Sequence, residues 1–193
     1  TTGTQSSCLP EGHVRSRQII REVLGFFAFG AAFFLIASLY SYDIADDPAR
    51  VYPAPTRISN LGGVIGFQLA GLLFRSVGVL GAWVTGLLSL LFAGSIFGKE
   101  EPTRDLFQGV VGGVAVILCA AVVERFFAGR TLLFIGHLGE DLGGRLAGGV
   151  WGTFLEHWLN RSFSSVGLVF AVAITFATGI ALSAEFFGEG WRT

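Results

Sequence analysis

The sequence predicts an all-α membrane protein with four transmembrane helices in two parallel repeats, each with an amphipathic or re-entrant Gly-rich segment. Of its 193 residues, 52% are hydrophobic and only 14% are charged, whereas soluble domains carry roughly 25% charged residues. The chain also contains 28 glycines, about double the usual share of roughly 7%. Glycine is frequent in membrane helices because small residues let helix backbones approach closely. Lipid is therefore the predicted main solvent.

Five stretches of the chain contain no Asp, Glu, Lys or Arg, and a membrane helix needs about 20 apolar residues, range roughly 17–25. The stretch 58–74 is polar for a span and is separated from the next stretch by Arg75 alone. Because no turn fits there, it is predicted to be a helix lying at the membrane surface. The remaining stretches predict spans at about 23–42, 76–98, 106–127 and 163–184.

These spans define a membrane domain over residues 20–185, preceded by a polar tail (1–19) and followed by the start of a cytoplasmic tail (186–193). Both termini then lie on one side, which carries 6 basic residues in 38 positions, against 7 in 71 on the other side. The positive-inside rule places the more basic side in the cytoplasm. The segments 43–57 and 124–161 are predicted to face outward.

An internal repeat accounts for the number of spans. The pattern GGVxG at 62–66 recurs at 148–152, and FxSVG at 74–78 recurs at 163–167. Arg21-Glu22 ahead of the first span likewise matches Arg104-Asp105 ahead of the third. The second Gly-rich segment continues through Glu156, His157 and Asn160, which are costly in hydrocarbon. Neither Gly-rich segment is therefore predicted to cross the membrane.

No motif predicts a catalytic, cofactor or metal site. The run Gly94–Lys99 is one residue too short between its glycines for a phosphate loop, and Glu100 stands where Ser or Thr should bind Mg²⁺. His137 and His157 have no partners at zinc-ligand spacing. The charge-free spans also contain no His, so a serine hydrolase would lack its base and an ion-coupled transporter its charged groups.

The net charge of −1 leaves no broad cationic face, so no direct contact with nucleic acid is predicted. Small residues in the spans instead predict helix packing, within one chain or between subunits. The residues assigned to this packing are two GxxxG pairs, Gly94 with Gly98 and Gly109 with Gly113.

Several segments together resemble a known family. Arg21-Glu22-Val23-Leu24-Gly25 leads into a span that ends Ser41-Tyr42-Asp43, with Asp46-Asp47-Pro48 following. Asn60-Leu61-Gly62-Gly63 and Gly66 precede the second span. This order, over about residues 20–185, is similar to the N-terminal four-helix membrane domain of the FtsK/SpoIIIE family of bacterial DNA translocases.

The resemblance implies a multi-pass anchor in the bacterial inner membrane, with cytoplasmic termini, that acts in cell division and chromosome segregation or in sporulation. In that family the domain precedes a linker and a hexameric ATPase motor, neither of which is present in these residues, so the chain is predicted not to be an enzyme. Expected partners are the lipid bilayer, other membrane or division proteins, and further copies of the chain. Residues expected to shape the outer face or contact partners are Ser41, Tyr42, Asp43, Gly62, Gly63, Gly66, Gly148, Gly149 and Gly152.

Two alternatives from other classes stay open at this stage. One is a stand-alone accessory subunit of a larger membrane complex, and the other is a small carrier built from two repeats. A carrier needs polar residues facing a central cavity, and the spans offer only scattered hydroxyls: Ser38, Thr85, Ser89, Thr175 and Thr178.

Overall fold

The described part of the protein is a bundle of four long helices. The computed structural model describes residues 11–47, 58–98, 103–127 and 147–188, and this part of the chain contains no strand. Four of its segments are long and apolar enough to cross a membrane, which confirms the predicted all-α membrane fold with four spans. The helices are α1 (Glu11–Tyr40), α2 (Gly63–Gly98), α3 (Thr103–Phe127) and α4 (Gly149–Gly188), and a short 3-10 helix, Ile44–Asp46, follows α1.

Parts of several predicted features lie outside the described residues. These are the first ten residues of the tail, most of the outer segment 43–57, half of the outer segment 124–161 including His137, the Lys99-Glu100 pair, and the last five residues. Where the structure does describe the predicted tail, the chain is already helical, because α1 begins at Glu11. The candidate spans within the helices are Ile19–Tyr40, Gly63–Ile96, Phe107–Phe127 and Gly149–Ala184.

Two of the helices are much longer than one membrane crossing requires and are broken inside. Helix α2 has 36 residues and is interrupted at Gly78, with φ 77° and ψ −174°. Helix α4 has 40 residues and is interrupted at Ser164, with φ 61° and ψ 168°. Each break therefore joins a Gly-rich N-terminal segment directly to the following span without a loop. The helical form predicted for 58–74 is present from Gly63 onward.

The breaks divide α2 and α4 at matching places. Helix α2 begins at Gly63 and is broken at Gly78, and helix α4 begins at Gly149 and is broken at Ser164. The number of residues between the first residue and the break is the same in both helices. Both first residues have a positive φ, 61° at Gly63 and 58° at Gly149. The repeat relation itself stays a prediction.

The four helices pack in chain order. Helix α2 contacts α1, α3 and α4, and α3 contacts α4 along much of its length. Because lipid tails are as apolar as the side chains, this association depends on close packing and interhelical hydrogen bonds more than on the hydrophobic effect. The main cluster joins the end of α1 to the first part of α2; its buried members include Leu39, Tyr42, Phe67, Ala70 and Phe74.

Candidate functional site: the two helix junctions

The first junction is the turn between α1 and α2, where the chain leaves one helix and enters the next. The Ser41 hydroxyl donates to the Ala37 carbonyl (2.7 Å) and accepts from the Leu61 backbone N–H (2.8 Å). The Asp43 carboxylate accepts from the Ala45 N–H (2.8 Å) and so caps the short 3-10 helix. These bonds satisfy backbone groups that helix ends leave unpaired.

The two ends of the connecting segment are tied together by Asp46. Its carboxylate accepts from both the backbone N–H (2.8 Å) and the hydroxyl (2.7 Å) of Ser59, and Asp46 is buried. The neighbouring Asp47 carboxylate lies 3.5 Å from the Arg75 guanidinium, which is mostly exposed. Solvent at the exposed arginine weakens such an ion pair, which contributes about 1 kcal/mol, so the two hydrogen bonds of the buried Asp46 hold the segment more strongly.

Asn60 connects the start of α2 to α1. Its side-chain nitrogen donates to the Ser38 carbonyl (2.8 Å), while its side-chain oxygen accepts from the Gly62 N–H (2.9 Å). Its backbone carbonyl accepts from the Gly63 N–H (2.8 Å). Asn60 is buried, and a buried amide with all these partners fixes the entry angle of α2.

Gly66 permits a close approach to α1 at this junction. A Cβ atom there would lie 2.5 Å from the Ser38 hydroxyl and 2.6 Å from the Asn60 side-chain oxygen. One turn further, the Tyr42 ring stacks on Phe67 with ring centroids 5.1 Å apart. The six first-copy residues singled out from the sequence, Ser41, Tyr42, Asp43, Gly62, Gly63 and Gly66, thus come together in one junction.

The second junction lies where α4 begins, and it is built against α3. A Cβ atom on Gly152 would lie 2.5 Å from the Ala121 carbonyl oxygen, and one on Gly148 would lie 2.7 Å from the Arg125 Cβ. Gly149 faces α2 instead, because a Cβ there would lie 2.5 Å from the Ser76 carbonyl. The second-copy glycines therefore pack helices against each other. Their predicted contact with outside partners stays a prediction.

Glu124 connects the second junction to the break in α2, and the sequence analysis did not single it out. Its carboxylate accepts from the N–H groups of Val79 (3.0 Å) and Leu80 (2.9 Å). These two residues follow Gly78, so they start the second part of α2 and would otherwise leave N–H groups unpaired. A carboxylate at a helix N-terminus is also favoured by the helix dipole. Glu124 acts as the N-terminal cap for a helix to which it does not belong.

The four glycines predicted to pack helices have different surroundings in the described part of the chain. Within this chain Gly94 has no atom within 4 Å of a would-be Cβ, and Gly113 has only the Leu88 side chain at 3.6 Å. The side-chain surroundings of Gly98 lie outside the described residues, and Gly109 is buried. Among the described residues, the Gly94 face of α2 meets no other helix, so of the two predicted kinds of packing only contact between subunits remains for this glycine, and it stays a prediction.

The close contact between helices is instead made by Gly112 and Gly179. A Cβ on Gly112 would lie 2.8 Å from the Gly179 carbonyl, and one on Gly179 would lie 3.1 Å from the Gly112 carbonyl. These two glycines bring α3 and α4 into backbone contact. Their separation in sequence is too large for any local motif to reveal the pair.

The polar side chains at the two junctions mainly hold backbone groups in place. Among the described residues, no three His, Cys, Asp or Glu side chains gather into a possible metal site. His157 is exposed on α4 beside the half-buried Glu156. The carboxylates Asp43, Asp46 and Glu124 are all bonded to backbone N–H groups.

Comparison with known families identifies the arrangement. The family model described as the 4TM region of DNA translocase FtsK/SpoIIIE matches residues 17–190. Searches of curated proteins and of solved structures gave no match.

Proposed function

Since the chain belongs to the family of the 4TM region of DNA translocase FtsK/SpoIIIE, we propose that it is the inner-membrane anchor and assembly domain of such a translocase. Its work is to hold the translocase in the bacterial membrane during cell division and chromosome segregation and to contact other division proteins and further copies of itself. The chain performs no catalysis of its own, and its termini lie in the cytoplasm, where a motor would act.

The observation that carries the proposal is how the polar side chains in the spans are used. Hydroxyls of Thr85, Ser89, Thr175 and Thr178 each donate to a carbonyl one turn earlier in the same helix, at 2.8 Å. Such bonds satisfy the hydroxyl without presenting it to a substrate. Thr175 and Thr178 are in addition exposed on the outer surface of α4. This pattern suits an anchor and leaves a carrier without its polar pathway.

The rigid first junction also supports an anchor. Asn60, Asp46 and Ser41 fix the turn between α1 and α2 through hydrogen bonds of 2.7–2.9 Å. Such a turn on the outer side offers a surface of fixed shape to other division proteins. A stand-alone accessory subunit would profit from the same rigidity, so this alternative needs an experimental test.

The mass of the native polypeptide separates the anchor from the accessory subunit. An antibody against the segment 124–161 is used to probe membranes of the source organism. A band several times larger than the 20.5 kDa of this chain is expected, because the anchor should be continuous with a motor. A band near 20.5 kDa, with proteolysis excluded, would overturn the anchor and leave the accessory subunit.

Localisation tests the role in division. A fluorescent protein fused to the chain is expected to collect at the division site in dividing cells. The control is an unrelated four-span protein with the same fusion, which should spread evenly over the membrane. An even distribution of both fusions would contradict the division role and leave membrane anchoring in place.

A further inference from the structure

The contacts inside the two helical hairpins, α1–α2 and α3–α4, recur at constant sequence offsets. The Ser38 hydroxyl lies 2.5 Å from a would-be Cβ on Gly66, and the Ala121 carbonyl lies 2.5 Å from a would-be Cβ on Gly152. The step, meaning the number of residues between two equivalent positions, is the same from Ser38 to Ala121 as from Arg21 to Arg104. The step from Gly66 to Gly152 is the same as the step between the two copies of the GGVxG motif. The first of these steps relates α1 to α3, and the second relates α2 to α4.

A second pair of contacts obeys the same two steps. A Cβ on Gly86 would lie 3.2 Å from the Ile36 side chain. At the equivalent positions of the second hairpin, the Cys119 thiol lies 3.7 Å from the Val172 carbonyl. The step from α2 to α4 also relates Gly78 to Ser164, the two broken positions. The hairpins are therefore equivalent in their helix pairing, and this pairing matches Gly78 with Ser164 rather than with Gly167, its counterpart in the FxSVG motif.

The interface between the hairpins has two complementary faces. Helix α2 supplies one face, and α3 supplies the other. The Leu88 side chain lies 3.6 Å from a would-be Cβ on Gly113, and the Ile117 carbonyl lies 3.6 Å from one on Gly81. Glu124 completes the interface by capping the broken helix at Val79.

Each of these faces has an unoccupied equivalent elsewhere in the described chain. The α4 equivalent of Leu88 is Ile174, whose side chain is 65% exposed. The α1 equivalent of Gly113 is Gly30, around which no atom lies within 4 Å of a would-be Cβ. The hairpins thus leave one copy of each face free: the α2-type face on α4 and the α3-type face on α1.

We propose that copies of the chain associate head to tail, with α4 of one copy packing against α1 of the next as α2 packs against α3 inside the chain. In this arrangement Ile174 of one copy covers Gly30 of its neighbour. The proposal rests on the self-association proposed above and names the faces that produce it. A contact between two different faces adds copies in one direction and closes into a ring where the rotation allows.

The character of both faces favours a second copy over lipid alone. The span in α4 is the least buried of the four, with 11% of it inside the structure. On α1, exposed Val23, Phe27 and Phe33 surround Gly30 at helical spacing. A glycine between large side chains forms a notch that admits a side chain from an approaching helix. The chain itself contains the matching face.

Disulfide cross-linking tests the contact directly. In the full-length chain without its two native cysteines, Gly30→Cys and Ile174→Cys are introduced together and oxidised in the membrane. A ladder at multiples of 20.5 kDa is expected, removed by reductant. When the two single variants are expressed together, cross-linking should stop at the dimer. A control pairs Gly30→Cys with Val114→Cys, which is exposed on α3 and should give monomer.

A second pair of variants tests the notch without cysteines. Gly30→Leu and Gly94→Leu both enlarge an open position, so neither should disturb the folding of the chain. Gly30→Leu is expected to abolish the oligomer seen by native mass spectrometry in detergent, while Gly94→Leu leaves it intact. Loss of the oligomer in Gly94→Leu alone would overturn the proposal and place the contact at the GxxxG pair.

The remaining outcomes separate this interface from the proposed function. An oligomer that persists in Gly30→Leu, without cross-links between positions 30 and 174, overturns the head-to-tail contact but not self-association. A monomer in all variants overturns both. Cross-linking of position 174 only to a different membrane protein would likewise reject the second copy as the occupant. None of these results affects the proposed anchor, which is tested by the native mass.

Discussion

Removing the carboxylate of Glu124 tests whether a side chain from α3 holds the broken helix α2 together. The variant Glu124→Ala leaves the N–H groups of Val79 and Leu80 without their acceptors. A buried N–H group that loses its partner costs about 1–3 kcal/mol. Two such losses would give about 2–6 kcal/mol, and because the bond to the Leu80 N–H is exposed, the expected decrease in the free energy of unfolding lies in the lower part of this range, about 2–4 kcal/mol. Hydrogen bonds between membrane helices average roughly 0.6 kcal/mol each. For the two bonds together, a decrease of about 1 kcal/mol in the free energy of unfolding is therefore the lower limit of the expectation.

The conservative variant Glu124→Gln sharpens this prediction. Glutamine keeps one oxygen acceptor but turns an NH₂ donor toward one of the two N–H groups. Its expected cost is therefore about half that of alanine, about 1–2 kcal/mol. Because glutamine keeps the volume of glutamate, a measurable loss of stability in Glu124→Gln distinguishes a hydrogen-bonding role from simple filling of space.

The free energy of unfolding is measured by titrating the purified protein with SDS in mild detergent. Fluorescence of Trp83, which packs against the buried cluster near the break, reports the transition. The control is Glu22→Ala, an exposed glutamate on α1, expected to change stability by less than about 0.5 kcal/mol. If Glu124→Ala is no less stable than Glu22→Ala, the cap does not stabilise the fold and the reasoning fails.

Three further predictions concern the junctions and the orientation. Asn60→Ala removes the bonds to α1 and to Gly62 and should lower unfolding free energy in the same SDS titration by about 2 kcal/mol; an unchanged transition would contradict this. Gly112→Leu should separate α3 from α4 and lower the SDS midpoint, whereas Gly94→Leu should not, since nothing lies near Gly94. In whole cells without the native cysteines, a membrane-impermeant maleimide should label His157→Cys directly. It should label Glu22→Cys only after permeabilisation, and the reverse result would invert the predicted topology.

The number of spans follows from the sequence because burial in lipid acts on each helix separately. A helix in hydrocarbon must itself be apolar over about 20 residues, so charge-free stretches mark it without knowledge of its neighbours. The same logic explains why Glu124 was missed. Nothing in the sequence near a charge shows which distant groups will bind it, and this carboxylate is accommodated because two backbone N–H groups of α2 meet it.

Contacts between distant helices were the least predictable part of the site. GxxxG spacing identifies a smooth helix face but not the helix that packs against it. Gly94 contacts no other helix within the described chain. The pair that does bring backbones together, Gly112 and Gly179, belongs to two helices and shares no local pattern. The first junction was more accessible to prediction. Asn60 lies just ahead of Gly62 and Gly63, and an Asn before a helix is a common N-cap.

The breaks in α2 and α4 are stabilised in different ways. At Gly78 the left-handed φ of 77° suits glycine, and Glu124 caps the helix that follows. At Ser164 a residue with a Cβ adopts φ 61° and ψ 168°, a conformation that costs about 1–3 kcal/mol outside glycine. The hydroxyl of the next residue, Ser165, donates a hydrogen bond to the side-chain oxygen of Asn160 in the same helix. Strain of this kind persists where surrounding contacts compensate it, and in α4 those contacts are expected from a neighbouring copy.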